Sequence, residues 1–298
     1  MARTKIDTRG LGLDIGLTYT KWLTGAENLH YGDWTGLDVS AANLGAAQIA
    51  YTDRLFARLP DRPCRILDIG GGAGETGRKL IALGHQVEIV VPSAFLASRC
   101  RQNAPAAVVH EAKFEDAQLT GPFDVCLFSE SPLDQGIAKC LTLLADDGRI
   151  VIADCFRSED FSPDAVQATV GGGHPIADFR ALIATLGLDV SQEEDITAAV
   201  APSIDLEQGL FNVVGYAHAR IDQELAAHRP KLRKALHWVF RRFMSSRKRA
   251  RLDQRLNQKT RNAGLPFVCP PCVQCCCVQR AHLVLVACLE CDHCPVPG

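Results

Sequence analysis

The sequence predicts a doubly wound α/β fold: a mostly parallel sheet with helices on both faces. Two observations carry that reading. From Cys64 to Phe156, short apolar runs alternate with helical stretches of about ten residues, the pattern of a parallel sheet buried on both sides. The first of those runs ends in LDIGGGAGETG, residues 67–77, a glycine-rich bend of the kind that joins a strand to a helix over a ligand. A chain of 298 residues holds one such domain with additions.

The elements follow in order. Residues 11–57 read as mainly helical and carry the aromatic segment LHYGDW, Leu29 to Trp34. CRILDI (64–69) is the first strand, and GETGRKLIALG (74–84) has helical spacing and a glycine stop. QVEIVV (86–91) is the second strand, followed by the helical SAFLASRCRQN (93–103). AAVVHEAKF (106–114) is the third, and FDVCLFSE (123–130), after Gly121-Pro122, the fourth. A helix over QGIAKCLTLLA leads to a turn at Asp146-Asp147-Gly148 and the fifth strand, RIVIADCF (149–156). Beyond it the pattern predicts a helix at 175–188, a strand and loop at 189–204, a helix at about 207–227, a basic helix, and a cysteine-rich tail. In that tail AHLVLVACL suits a last strand. Right-handed crossovers put the ligand site at the carboxyl ends of the strands.

Composition narrows the function classes. With 47% apolar residues, 22% charged residues and a net charge of −2, neither global disorder nor a dominant polyanionic partner is indicated. No apolar run reaches the roughly 18 residues of a membrane span. The opening MARTKIDTRG has no apolar stretch behind it, which points to the cytoplasm. Charge is nonetheless uneven. Between Arg229 and Arg261 there are 13 Lys/Arg and one acid, Asp253, a segment of +12 that leaves −14 for the rest. Cysteine is uneven too. Cys64, Cys100, Cys126, Cys140 and Cys155 are scattered through apolar runs and read as reduced, buried hydrophobes, whereas eight more crowd into residues 269–294.

The glycine loop decides the ligand class. Gly72, Gly74 and Gly77 spell G-x-G-x-x-G, but a nicotinamide site would place an acid near the end of the second strand. That position reads Val90-Val91-Pro92-Ser93, and Glu88 lies within the strand with its direction open. A carboxylate does stand at Asp68, just before the glycines. It suits a ligand with a charged amino-acid end; the alternative is a cap for the next helix. Gly70, Gly72 and Gly74 let the backbone pass close beneath a nucleoside, and the loop amides meet a carboxylate.

These residues resemble the class I S-adenosylmethionine-dependent methyltransferases of small-molecule type. LDIGGGAG matches their first motif at Asp68, Gly70, Gly72 and Gly74, with Gly71 inside it. The likeness runs over about 62–215: HEAKFEDAQL, FDVCLFSES, DDGRIVIADCF and LGLDVSQEEDITAAVAPSI resemble the later motifs in order, and LHYGDW the aromatic segment that closes over the cofactor. The resemblance implies a Rossmann-like fold with a seven-stranded sheet and S-adenosylmethionine as cofactor. It places Phe114, Glu115 and Asp116 by the adenine and Ser93 where relatives usually carry an acid. Tyr31 and Trp34 would wall the methyl pocket, or merely pack the N-terminal helices. It also implies an N-terminal helical cap (1–60), a cofactor-binding core (61–215), a basic helical lid (216–262) and the tail (263–298).

Methyl transfer needs alignment and exclusion of water more than a fixed catalytic set. Glu130, at the end of the fourth strand, is a candidate to hydrogen-bond cofactor or acceptor, or else a solvated strand end. His174, after Gly171-Gly172-Gly173, is a candidate base, or else a loop histidine at a helix entry. The loop Ser131-Pro132-Leu133-Asp134 is short and lacks the aromatic or His residues of relatives. The resulting expectation is transfer to an O, N or C atom of a small, apolar metabolite. The alternatives are a degenerate cofactor-binding protein that docks through its basic helix, and a thiol-dependent metalloid methyltransferase. The basic segment 229–261 admits a lid, peripheral membrane contact, or nucleic acid, the last disfavoured because no RNA module accompanies it. In the tail, Cys269-x2-Cys272 and Cys288-x2-Cys291, with Cys275 and Cys294 beside them, have zinc-ribbon spacing. The competing reading is a tail without function, and no metal is assigned to the active site.

Overall fold

The computed structural model describes residues 8–129, 136–157, 174–246 and 249, together with the backbone of 282–290. They divide into two compact units, one running to Pro202 and including 282–290, the other from Ser203 onward. Among the described residues no helix is long and apolar enough to cross a membrane.

The first unit opens with α1 (Thr8–Thr24) and α2 (Leu44–Phe56), joined by an irregular segment that contains LHYGDW. The sheet then begins: β1 (Arg65–Ile69), α3 (Glu75–Ala82), β2 (Gln86–Val91), α4 (Ala94–Asn103), β3 (Val108–Glu111), β4 (Phe123–Ser129), α5 (Gly136–Leu141) and β5 (Leu144–Arg157). After β5 come β6 (His174–Pro175), α6 (Ile176–Thr185), β7 (Asp189–Asp195), α7 (Thr197–Val200) and β8 (His282–Glu290). The strand order is β3-β2-β1-β4-β5-β8-β7, with the two-residue β6 on the far end of β5. The first five strands are parallel, and β8 runs antiparallel between β5 and β7.

Strand alternation builds two cores. Ile66, Val87, Ile89, Val125, Leu127 and Val151 face α2, α3 and α4, where Tyr51, Leu55, Leu80 and Ala97 pack on them. Leu67, Ile69, Cys126, Phe128, Ile150 and Ile152 face α5 and α6, against Ile137, Cys140, Phe179 and Ile183. Both sides of the sheet are therefore covered, as a doubly wound fold requires. Cys64, Cys100, Cys126 and Cys140 are buried and reduced, Cys155 partly buried.

Several boundaries differ from the sequence reading; the loop expected up to 204, for one, holds α7 and the start of a long helix, which begins at Pro202 rather than at about 207. The third strand is only Val108–Glu111, because Phe114 enters a short 3-10 turn, Phe114–Asp116. The helix before β5 stops at Leu141, and β5 starts at Leu144 rather than after the turn at Asp146–Gly148. The register explains the early start of β5. Phe123 pairs with Leu144 but Val125 with Arg149, so the polar residues between are absorbed in a bulge.

The second unit contains α8 (Pro202–His228), which begins at its border, and α9 (Pro230–Phe243). Pro230 opens α9 in the position where a missing N–H costs nothing. Asp222 of α8 ties the pair by accepting from Arg233 Nε and Nη2, each at 2.8 Å, and from His237 at 2.9 Å.

Candidate cofactor site

A cavity of about 790 Å³ lies at the carboxyl ends of β1 and β2, the place strand polarity dictates. Its floor is the bend after β1. Gly70, Gly72 and Gly74 all adopt positive φ there (78°, 55° and 87°), a conformation that other residues reach only at a cost. At Gly71 the limit is space rather than angle: a Cβ would come within 2.5 Å of Asp68 Oδ2 and 2.8 Å of Ile89.

Asp68 sits beneath this bend, fully buried on the same sheet face as Ile66. Neither of its carboxyl oxygens has a hydrogen-bond partner among the described residues. It does not cap α3, whose first turn is entered from Gly74 without a side-chain cap. Burial alone pushes its pKa from 3.8 up to about 7. A buried acid with two unmet acceptors can take a donor from outside the chain, whether a ligand or a water.

The roof comes from the segment after α1. Asn28, Leu29 and His30 line the cavity; Asn28 is buried and its Oδ1 lacks a partner as well. Glu27 pins this strap to α4. It accepts from Arg99 Nε and Asn103 Nδ2, both at 2.8 Å, forms a second bond to Arg99 Nη2, and takes an exposed ion pair from Lys21 at 3.0 Å. Burial alone would raise the Glu27 pKa, but the bonds from Arg99, Asn103 and Lys21 outweigh it and hold it at about 2. The Glu27 backbone N–H donates to Glu75 of α3, and Asn103 also donates to the Ala73 carbonyl of the glycine loop at 2.9 Å. Strap, loop and α4 are thus one hydrogen-bonded unit.

His30 is held neutral. Burial lowers its pKa to about 4, partly opposed by its bond to the Tyr31 carbonyl at 2.8 Å and reinforced by the charge of Lys79. Its ring stacks on Tyr51 at 5.0 Å. Both ring nitrogens face protein partners, since Nε2 lies 3.4 Å from the Thr52 hydroxyl, so His30 contributes shape rather than a base.

The structure brings together Asp68, Gly70, Gly71, Gly72, Ser93, Phe114, Glu115 and Asp116 around one cavity. Ser93 also accepts from Leu96 N–H as the N-cap of α4. The turn bearing Phe114, Glu115 and Asp116 is anchored by Lys139, which donates to the Phe114, Glu115 and Ala117 carbonyls. Three expected residues do not line the cavity. Gly74 is needed by the helices, since a Cβ there would approach Cys100 Cα of α4 to 2.9 Å. Tyr31 packs on the Tyr51 cluster. Trp34, 5% exposed, lines a separate depression of about 360 Å³ with Arg54 and Asp195. Its backbone N–H is spent on Ala199. The strap therefore presents Asn28, Leu29 and His30 to the cavity, and the two largest rings of LHYGDW, Tyr31 and Trp34, do not line it. Glu88 is excluded as a ribose acid: Arg65 at 2.6 Å and His110 at 2.7 Å occupy its carboxylate.

Sequence reasoning missed Glu27, Asn28 and His30, because the strap has no periodicity to mark which side chains face inward. Glu130, the loop at 131–134, Cys269, Cys272, Cys275, Cys291 and Cys294 lie outside the described residues, as do the side chains of His174 and Cys288. Among the described residues no cluster of His, Cys, Asp and Glu is arranged to hold a metal ion.

These features and the strand order define the class I S-adenosylmethionine-dependent methyltransferase fold, and the chain has it. Solved structures agree. A cyclopropane synthase from Mycobacterium tuberculosis superposes with a TM-score of 0.58 at 15% identity, covering 93% of this chain and 94% of that one. The geranyl diphosphate C-methyltransferase of Streptomyces coelicolor A3(2), in complex with Mg²⁺, geranyl-S-thiolodiphosphate and S-adenosyl-L-homocysteine, does so at 0.56 and 12% identity, covering 96% and 99%. In sequence, the chain is similar to the tRNA 5-carboxymethoxyuridine methyltransferase of Escherichia coli K12. The two are 34% identical over 84 residues, 26% of this chain and 32% of that protein. The chain thus spans about a third of the length of the curated relative it matches. No family model matches it.

Proposed function

We propose that this protein is an S-adenosylmethionine-dependent methyltransferase that acts on an O, N or C atom of a small, apolar metabolite. One observation carries the cofactor assignment: Asp68, buried and without a partner, under a bend that tolerates no side chain at Gly71. The ligand such a floor fits brings its own donor, an α-ammonium, joined to a flat nucleoside that the glycines allow close to the backbone. Asp68 would take the ammonium, and Phe114, Glu115 and Asp116 would border the base. Ser93 would stand by the ribose, where its capping role leaves the hydroxyl proton free to donate. When bound, the cofactor supplies a methyl group already activated on sulfur.

The chain's own task is then to hold and to dry the site. Leu29, Ile69, Val90, Val91 and Leu96 give the cavity apolar walls, and the pinned strap closes it from above. An apolar acceptor is consistent with those walls, and small-molecule acceptors are named for the geranyl diphosphate enzyme of the same fold. Glu130 and His174 remain the candidates for contact with the acceptor.

Titration calorimetry with S-adenosyl-L-homocysteine, with NAD as control, tests the cofactor assignment; binding of NAD alone overturns it. Incubation with methyl-labelled cofactor tests the acceptor class. A small-molecule extract and bulk tRNA are offered separately. Label in the extract supports the reading, and label in tRNA alone replaces the acceptor class.

A further inference from the structure

The helix α9 is amphipathic with its apolar side outward. On a 3.6-residue turn, Leu232, Leu236, Val239, Phe240 and Phe243 fall on one arc of about 100°. Lys231, Lys234, Arg241 and Arg242 occupy the other side. In an ordinary helical hairpin the apolar arc would meet the neighbouring helix. Here α8 is met by polar residues, because Asp222 grips Arg233 and His237. The apolar arc stays in solvent: Leu232 is 49% exposed, Phe240 46% and Phe243 83%. No residue of α9 is buried.

We propose that α9 lies in the headgroup layer of an anionic membrane, with its apolar arc among the first acyl carbons and its cations on lipid phosphates. Charge identifies the partner, since α9 opens a segment, 229–261, that carries +12 in a chain of net charge −2. Length sets the mode. Fourteen residues make a helix of about 21 Å, shorter than the roughly 30 Å hydrocarbon core, so α9 lies on the bilayer rather than across it. Trp238, 66% exposed, sits among the cations, where an indole suits the interface. Nucleic acid would employ the cations and Trp238 but leave the five-residue apolar arc in water, and so fits less of the helix.

The test is co-sedimentation of the full chain with vesicles of phosphatidylcholine alone or mixed with phosphatidylglycerol, across a salt series and with tRNA as competitor. Binding to the anionic vesicles only, released by salt, is expected. The pair Phe240→Ser and Phe243→Ser weakens it by roughly ten-fold or more. The pair Arg241→Gln and Arg242→Gln does the same by roughly ten-fold or more. Far-UV circular dichroism and affinity for S-adenosyl-L-homocysteine stay unchanged in both variants. No binding, equal binding to neutral vesicles, or a Phe variant that binds like the parent overturns the proposal. So does tRNA that displaces the vesicles and still binds the Phe variant. Because vesicle binding and cofactor binding are read separately, failure of one leaves the other standing.

Discussion

At the scale of the residue, the role proposed for Asp68 would couple cofactor binding to protons. With its pKa raised to about 7 by burial, the carboxyl is about half protonated at neutral pH in the free protein. An arriving ammonium favours the charged form. Binding of S-adenosyl-L-homocysteine at pH 7 should therefore release up to about half a proton, seen as a dependence of binding heat on buffer ionisation. Asp68→Asn should abolish the release and weaken binding about ten-fold or more, the worth of a hydrogen bond to a charged group. An unchanged buffer dependence in that variant would sink the assignment. The same group shapes stability. Its folded pKa lies above the ordinary 3.8, so the native state keeps a proton that the unfolded chain has shed. Its contribution is full below about pH 4 and declines as pH rises through about 7, by at most roughly 4 kcal/mol. Denaturant titrations of the ligand-free parent and Asp68→Asn should differ by that slope. Gly71→Ala, whose Cβ would meet Asp68 Oδ2 at 2.5 Å, should cost about 1–3 kcal/mol and most of the cofactor affinity, measurable by thermal melts and calorimetry.

At the scale of the element, the strap is held by charge as well as by packing. Glu27 is 5% exposed and paired with the partly buried Arg99, whereas its other ion-pair partner, Lys21, is 55% exposed. Removing one member of a buried pair strands the other, while an exposed pair is worth under about 1 kcal/mol. Because Asn103 and Lys21 still bind Glu27, Arg99→Ala is expected to lower stability by about 1.5–3 kcal/mol, the worth of a hydrogen bond to a charged group, and to raise the KM for the cofactor. Lys21→Ala should change either quantity little. Comparable losses in the two variants, in chemical denaturation and initial-rate kinetics, would remove the clamp from the account. The sign of the pH effect is opposite to that of Asp68: Glu27 is depressed from 4.5 to about 2, so its stabilisation is present above about pH 4.5 and is lost as pH falls through about 2.

At the scale of the molecule, ligand and fold are linked. S-adenosyl-L-homocysteine at a hundred times its Kd should stabilise the first unit by about 2.7 kcal/mol and raise its melting temperature, with NAD leaving it unchanged. A rise with NAD alone would mean that the glycine loop serves a dinucleotide. Much of this architecture was legible in the residues themselves. The alternation of apolar runs and helices located β1, β2 and β4, and the glycines marked the bend, because burial on both sheet faces and positive φ each demand particular residue types at particular spacings. The sequence also admitted 281–289 as a last strand, which is found antiparallel between β5 and β7. What the sequence determined by itself was therefore the class of fold and the identity of the acid under the loop. Only tertiary structure decided that Trp34 and Tyr31 turn away while Asn28, Leu29 and His30 face the cavity, and that Glu88 is spent on Arg65 and His110. It also decided that Gly74 serves helix packing. The physical reason is that such roles depend on contacts between segments far apart in the chain, such as Glu27 with Arg99, which no local pattern of side chains encodes.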